Sequence, residues 1–314
     1  MAKAVITWDM EESFVDYLST KLSEYGIDVI QTGKERDTIY RELGDADVIF
    51  AGLADRDIIE RAPRLKFIQA LTSSVGRIDL SYAASRGIPV SSAKGHNANA
   101  IAEHIIMLML MLTRKAGTRE HIDSYEIEEL SGKTLCELGV GCIGTALGKK
   151  CHALGMRILG VDLYPRDFDF LDQSGTPDKL PYFLPEADFF TVHVPRTPQT
   201  HNMVNGDVLK HAPDSLYFVD VSRGGITNVD DLYTAIAERR LRGAAMDVFP
   251  GVFYADDRPA HHPLFDLPNF IYTPHTAGKS AESRKRLADF SVDNVKRYFN
   301  GEMPLNVVDP NVGF

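Results

Sequence analysis

The 314 residues include only three cysteines, Cys136, Cys142 and Cys151, and a single tryptophan, Trp8. An odd cysteine count without paired metal-ligand spacing argues against a disulfide framework. It points to reduced thiols in a cytoplasmic protein with no metal. Basic residues are the second scarcity: 34 Lys+Arg stand against 44 Asp+Glu, for a formal net charge of −10. A duplex nucleic-acid partner and a polybasic membrane anchor both need a basic surface, so the reading is no nucleic acid and no membrane. Long hydrophobic runs are missing too. The longest, Ile105 to Leu112, falls far short of the ~20 residues that span a bilayer. Its Met-Leu alternation reads as a buried helix face. No cationic segment or cleavage site precedes the strand-like Ala4-Val5-Ile6-Thr7-Trp8, so no secretory leader is expected. Short-period repeats and low-complexity stretches are lacking as well.

What remains is ordinary globular material, 44% hydrophobic and 25% charged, at a length that suggests two domains. Strand-like runs at Ala4–Trp8, Asp28–Gln31, Asp47–Ala51, Lys66–Ala70 and Pro89–Ser91 alternate with helix-like segments such as Glu12–Tyr25, Ile59–Arg61 and Leu80–Ser85. That alternation predicts a parallel sheet covered by helices. A longer helix follows over Asn99–Arg114. The alternation then restarts, with strands at Thr134–Leu138, Arg157–Val161, Phe189–His193, Leu216–Val221, Ala244–Val248 and Phe270–Tyr272. A last helix, about Ala281 to Phe299, has no strand of its own array left to serve, and Pro304 to Val308 reads as an extended tail. The fold class is therefore α/β, with two doubly wound parallel-sheet domains.

Gly139-Val140-Gly141-Cys142-Ile143-Gly144 is a G-x-G-x-x-G motif between a strand and a helix. The first glycine allows the tight turn, the second lets backbone approach a pyrophosphate, and the third lets helix and strand pack closely. The helix N-terminus adds free N–H groups and a positive dipole end. The next strand, Arg157–Val161, ends in Asp162, about twenty residues on, where a carboxylate accepts the ribose hydroxyls of NAD and repels the 2′-phosphate of NADP. NAD is thus the expected cofactor, and Arg166 is the nearest candidate for the opposite preference.

With Ser131-Gly132-Lys133-Thr134-Leu135, this motif and Asp162 resemble the D-isomer-specific 2-hydroxyacid dehydrogenase family, the family of phosphoglycerate dehydrogenase. Further segments resemble it in order: Ala102-Glu103-His104, His193-Val194-Pro195 with Thr197 to Thr200, Val221 to Gly225, Ala245 to Phe249, and Thr273-Pro274-His275. The resemblance implies a Rossmann nucleotide domain, residues 98–283, inserted into a flavodoxin-like substrate domain, residues 1–97 plus 284–314. It implies hydride exchange between nicotinamide and C2 of a 2-hydroxy or 2-oxo acid, with Arg223 and His275 as catalytic residues. Cofactor contacts are implied at Gly139, Gly141, Cys142, Ile143, Gly144, Asp162, His193, Pro195, Thr200, Val221, Ser222, Asp247 and Gly278.

The residue types support that chemistry. An imidazole can take and return a hydroxyl proton, and a guanidinium fork can clamp a carboxylate and polarise a carbonyl. The loop Thr72-Ser73-Ser74-Val75-Gly76 offers small residues and free amides to a small-molecule carboxylate substrate, with Arg77 next to it as a further substrate-binding candidate. Arg77 there is either a surface cation or a contact to a second anionic group. The apolar face of helix Ile101–Arg114 points to a homodimer.

Several positions depart from the family. Five residues beyond Asp247, where the family carries a glutamate that pairs with the histidine, this chain has Val252. Either Asp256 or Asp257 on the longer loop reaches His275, or His275 lacks its carboxylate and its pKa loses an upward push. The 114–131 segment is shorter than the family's arm, which leaves the dimer geometry open. Glu137 interrupts an apolar strand two residues before Gly139. Since central parallel strands are covered on both faces, it is expected to be buried with a hydrogen-bond partner. Two other functions fit the same residues, an NAD-sensing binding protein of corepressor type and an NAD-bound enzyme with altered chemistry.

Overall fold

The structure is a computed structural model, and it describes residues 1–116, 127–252 and 259–310. Parallel strands covered on both faces are short and apolar, and the first part of the chain supplies five. The elements run β1 (Ala2–Ile6), α1 (Glu12–Ser23), β2 (Ile27–Gln31), α2 (Arg36–Glu42), β3 (Val48–Ala51), α3 (Arg56–Glu60), β4 (Phe67–Ala70), α4 (Leu80–Ser85) and β5 (Val90–Ser91). All pair in parallel, in the order β2-β1-β3-β4-β5, which is the flavodoxin-like order. Every residue of β3 and β4 is buried. Asp55 and Asp79 cap α3 and α4 by accepting from the amides of Ile58 and Tyr82. α2 escaped the sequence reading because Ile39 is its only buried residue.

The second array starts with α5 (Ala98–Arg114) and β6 (Thr134–Leu138), followed by α6 (Cys142–Ala153), β7 (Arg157–Val161), β8 (Gln173–Gly175), α7 (Leu180–Phe183), β9 (Phe189–Val192), α8 (Gly206–Leu209), β10 (Tyr217–Asp220), α9 (Val229–Ala237), β11 (Gly243–Met246) and β12 (Phe270–Tyr272). Its seven-stranded sheet has the order β12-β11-β10-β9-β6-β7-β8, again all parallel. β6 is central and the order reverses around it, which is the Rossmann arrangement and its switch point. One face of the sheet buries Cys136, Leu138, Leu159, Phe190 and Phe218. The other packs Leu135, Ile158 and Phe189 with residues of α5 and α6.

The chain then returns to the first sheet as α10 (Ala281–Phe299), which opens on a capping box formed by Ser280 and Ser283. Buried Asn294 donates to Gln69 Oε1 (2.7 Å) and Ser91 Oγ (2.8 Å) and accepts from Leu305 N–H (2.8 Å). These bonds fasten α10 and the tail to β4 and β5. The tail is less regular than its sequence suggests: Val307 makes one antiparallel bridge to Ser91. Two compact units result, Met1–Asn97 with Ser280–Phe314, and Ala98–Lys279.

Candidate cofactor and active site

All strands of the second unit are parallel, so their carboxyl ends share one edge of the sheet, where open α/β sheets bind ligands. β6 leaves that edge through Gly139, whose φ of +101° suits glycine. A Cβ there would lie 3.1 Å from the backbone of His193 and Val194. Gly144 is packed tighter still, since its Cβ would fall 2.3 Å from the Gly139 carbonyl oxygen. Gly141 differs: nothing lies within 4 Å of its Cβ position, and no side chain caps α6. The first helical hydrogen bond runs from Thr145 N–H to Gly141 C=O. The amides of Cys142, Ile143 and Gly144 therefore precede the ladder, a ready site for an anion. Cys142 is an exposed free thiol on that first turn.

Asp162, just past β7, accepts from Val140 N–H (2.8 Å) and Tyr164 N–H (3.0 Å). This fixes a half-buried carboxylate beside the glycine turn. Arg166 is drawn to the same residue, donating to Val140 C=O (2.9 Å) with its guanidinium over the Phe168 ring. Open ground at Gly141, uncapped amides and a carboxylate at the next strand end suit a dinucleotide. His193 sits below the turn with Nδ1 3.2 Å from the Gly139 carbonyl oxygen. Burial pushes its pKa down to about 4, so the ring is neutral at physiological pH and Nδ1–H donates. Thr200 Oγ1 donates to Pro195 C=O (2.7 Å) and accepts from Thr197 N–H (2.8 Å), closing its own loop.

β10 ends in fully buried Asp220, whose carboxylate turns the chain by accepting from Ser222 N–H and Oγ and from Thr227 Oγ1 (2.6 Å). Burial raises its pKa in spite of these bonds. Val221 and Ser222 are buried by this turn, while Arg223 emerges exposed, with Nη1 donating to Ser222 C=O (2.7 Å). Gly224 has no room for a side chain, since a Cβ would lie 2.2 Å from Phe249 O, in the loop after β11.

His275, after β12, takes a left-handed conformation (φ +54°) and donates its N–H to Asp247 C=O (3.0 Å). Asp247 is 1% exposed. Its Oδ1 accepts from Thr273 Oγ1 (2.6 Å) and Thr276 N–H (2.9 Å), and its Oδ2 from Ala277 N–H (2.9 Å). His104 of α5 lies 2.9 Å from Thr273 Oγ1 and 3.6 Å from Asp247 Oδ1. Burial lowers its pKa, against the pull of Asp247. In this structure both Asp247 oxygens therefore hold the histidine loop. Nothing in the sequence announced this role for Asp247, or those of His104, Thr273 and Asp220.

Residues 105–277 match the family model described as D-isomer specific 2-hydroxyacid dehydrogenase, NAD binding domain. The glycerate dehydrogenase of Methylorubrum extorquens is 32% identical over 81% of this chain and 82% of its own length. The chain belongs to the D-isomer-specific 2-hydroxyacid dehydrogenase family. It is an oxidoreductase whose cofactor is NAD. The D-3-phosphoglycerate dehydrogenase of Methanocaldococcus jannaschii is 31% identical over 99% of this chain, which spans 60% of that longer protein. Among solved structures, NAD-dependent formate dehydrogenase from Staphylococcus aureus, in complex with NAD, superposes with a TM-score of 0.73 at 28% identity, covering 96% of each chain. These relatives carry oxidoreductase names, which favours this dehydrogenase as an enzyme over the NAD-sensing alternative.

In the first unit the substrate-loop candidates follow β4 at the carboxyl edge of the five-stranded sheet. The first strand, read from the sequence as Ala4–Trp8, runs Ala2–Ile6, so Trp8 lies just past β1, and Gly52 follows β3. Ser73, Ser74 and Gly76 are at least partly accessible, but Val75 is 5% exposed and its side chain joins the core. Arg77 lies over the Trp8 ring at 4.9 Å. Val252 is 4% exposed and packed in the core of the second unit. Asp256 and Asp257 lie outside the described residues. The expectation for Glu137 needs correction: it is fully buried, yet neither carboxyl oxygen has a hydrogen-bond partner among the described residues. Nor do those residues hold a group of three or more potential metal ligands, or a helix long and apolar enough to cross a membrane.

Proposed function

We propose that this dehydrogenase interconverts a small 2-oxo acid and its D-2-hydroxy acid. The observation that carries the reading is the shared edge of the seven-stranded sheet, where the glycine turn, Asp162, Arg223 and the Asp247-held His275 all follow carboxyl ends of parallel strands. NAD, when bound, supplies or accepts the hydride at C2. Gly139, Gly141, Cys142, Ile143 and Gly144 receive the pyrophosphate, and Asp162 receives the ribose hydroxyls. His193, Pro195, Thr200, Val221, Ser222, Asp247 and Gly278 shape the rest of the cofactor's surroundings. Arg223 clamps the substrate carboxylate and polarises the C2 carbonyl, and the His275 imidazole gives a proton to the carbonyl oxygen or takes it back; in the first unit, the loop of residues 73–77 is a candidate for binding a carboxylate through its amides. Exposed Met107 and Leu110 on α5 support a homodimer, and three free thiols support a cytoplasmic location.

A panel of small 2-oxo acids assayed with NADH tests the reading. At least one is turned over, and Arg223→Lys loses most of that turnover because an ammonium cannot reproduce the bidentate fork. Retention of wild-type turnover in Arg223→Lys removes Arg223 from the site, and tight NADH binding with no turnover on any 2-oxo acid contradicts the substrate class.

A further inference from the structure

Glu137 lies in β6, the central strand, opposite Gly160 of β7 and Thr191 of β9. It is 0% exposed, and among the described residues both carboxyl oxygens lack a hydrogen-bond partner, as does Thr191 Oγ1, beside it in register. On the helix side the carboxyl faces two glycines one turn apart in α6. A Cβ built at Gly144 would lie 3.2 Å from Oε2, and one at Gly148 would lie 3.4 Å from Oε1. The acid is thus housed beneath the first turns of the helix whose leading amides are assigned to the pyrophosphate, against the two glycines of α6, Gly144 and Gly148.

No cation compensates it among the described residues. The titratable groups near it are Cys151 of α6 and Cys136 of its own strand, buried thiols pushed up by burial and further by Glu137. His193 at the exit of β9 is neutral on the Gly139 carbonyl. On α5, which packs against α6, Glu103 pairs with Lys150 and His104 is committed to Thr273. Burial alone raises the pKa of Glu137, well above the ordinary carboxylate range. A buried carboxylate without counter-charge or hydrogen bonds is costly, whereas the neutral acid costs far less.

We infer that Glu137 is held as a protonated acid under the pyrophosphate-binding turn, and that loss of its proton and binding of the dinucleotide oppose each other. The inference rests on assigning the pyrophosphate to the Gly139–Gly144 turn. An ionised Glu137, in the low-dielectric interior, and the phosphates at the leading turn of α6 are like charges. By linkage, whatever ionisation takes from dinucleotide affinity, binding takes from ionisation. The acid leaves affinity intact at neutral pH and weakens it in alkali.

The test is the NADH dissociation constant, by fluorescence titration from about pH 6 to about pH 10, in wild type, Glu137→Gln and Glu137→Leu. The inference expects similar affinities at the acid end. With rising pH, wild-type affinity falls by about tenfold or more, and both variants fall by far less. Infrared difference spectra of the wild type need no mutant to fold. They should show a protonated-carboxyl carbonyl band that fades in alkali in the free protein and persists to higher pH with NADH bound. Parallel pH curves in wild type and Glu137→Gln, or a band that titrates identically with and without NADH, overturn the inference while leaving the site standing. Failure of the wild type to bind NADH at any pH overturns the site assignment, and the inference with it.

Discussion

The two glycines that frame the start of α6 should fail in opposite ways. In Gly144→Ala the new methyl falls 2.3 Å from Gly139 O and 3.2 Å from Gly139 C. Both are backbone atoms and cannot rotate aside, so α6 and the exit of β6 must separate by about 1 Å to restore ordinary contact. That shift also loosens Leu147 and Cys151 on the same helix, both fully buried. Overpacking of this kind costs roughly 1–3 kcal/mol, and each kcal/mol is about 2–4 °C of melting temperature in a domain of this size. In Gly141→Ala the methyl meets nothing within 4 Å, and φ is −80°, a value alanine accepts. The free protein should then be unchanged, or more stable by up to about 1 kcal/mol through a less disordered unfolded chain. Its methyl fills the ground left for pyrophosphate, so NADH affinity should fall by about tenfold or more. Thermal melts of the free variants, paired with NADH fluorescence titrations, read both quantities. Equal loss of stability in the two variants refutes the packing argument, and wild-type NADH affinity in Gly141→Ala removes the turn from the pyrophosphate.

Asp247→Asn replaces one accepting oxygen by an NH2 group among Thr273 Oγ1 and the amides of Thr276 and Ala277. It should cost roughly 1–3 kcal/mol of stability and lower kcat by about tenfold or more, with NADH affinity changed less; an unchanged kcat would show that the His275 loop does not depend on Asp247. Asn294→Leu strands Gln69 Oε1 and Leu305 N–H, and urea unfolding should show a loss of roughly 2–4 kcal/mol; a neutral result would mean the network does not hold α10. The pKa of His193 is about 4 in the folded protein against 6.5 ordinarily. The unfolded chain therefore takes up that proton first, and stability falls as pH drops from about 6.5 to about 4, by up to about 3 kcal/mol. His193→Leu should lose that part of the acid slope, and an identical slope in both proteins would contradict its burial as the neutral ring.

The doubly wound plan was legible because runs such as Val48-Ile49-Phe50-Ala51 sit between turn residues, and apolar continuity of that length marks a strand buried on both faces. Where burial is thin the pattern disappears. β8, Gln173-Ser174-Gly175, lies at the sheet edge with two exposed residues, and α2 offers the core only Ile39. The glycine motif and Asp162 were legible because their spacing is local. Asp247's partners lie 26, 29 and 30 residues away, and His104 is 169 residues from Thr273. No local pattern encodes such bonds. Burial of Glu137 followed from its strand position, but the absence of a partner depended on what stands opposite it, and there the fold supplies glycines.

The central claim is hydride exchange between nicotinamide and C2. It is tested most directly by incubating the protein with NADH deuterated at nicotinamide C4 and a small 2-oxo acid, then locating the label in the product by NMR and chiral chromatography. The account predicts deuterium at C2 of a D-configured 2-hydroxy acid when the transferred face carries the label, and loss of most of that product in His275→Ala. NADH that binds with its label never reaching C2 of any 2-oxo acid would contradict it.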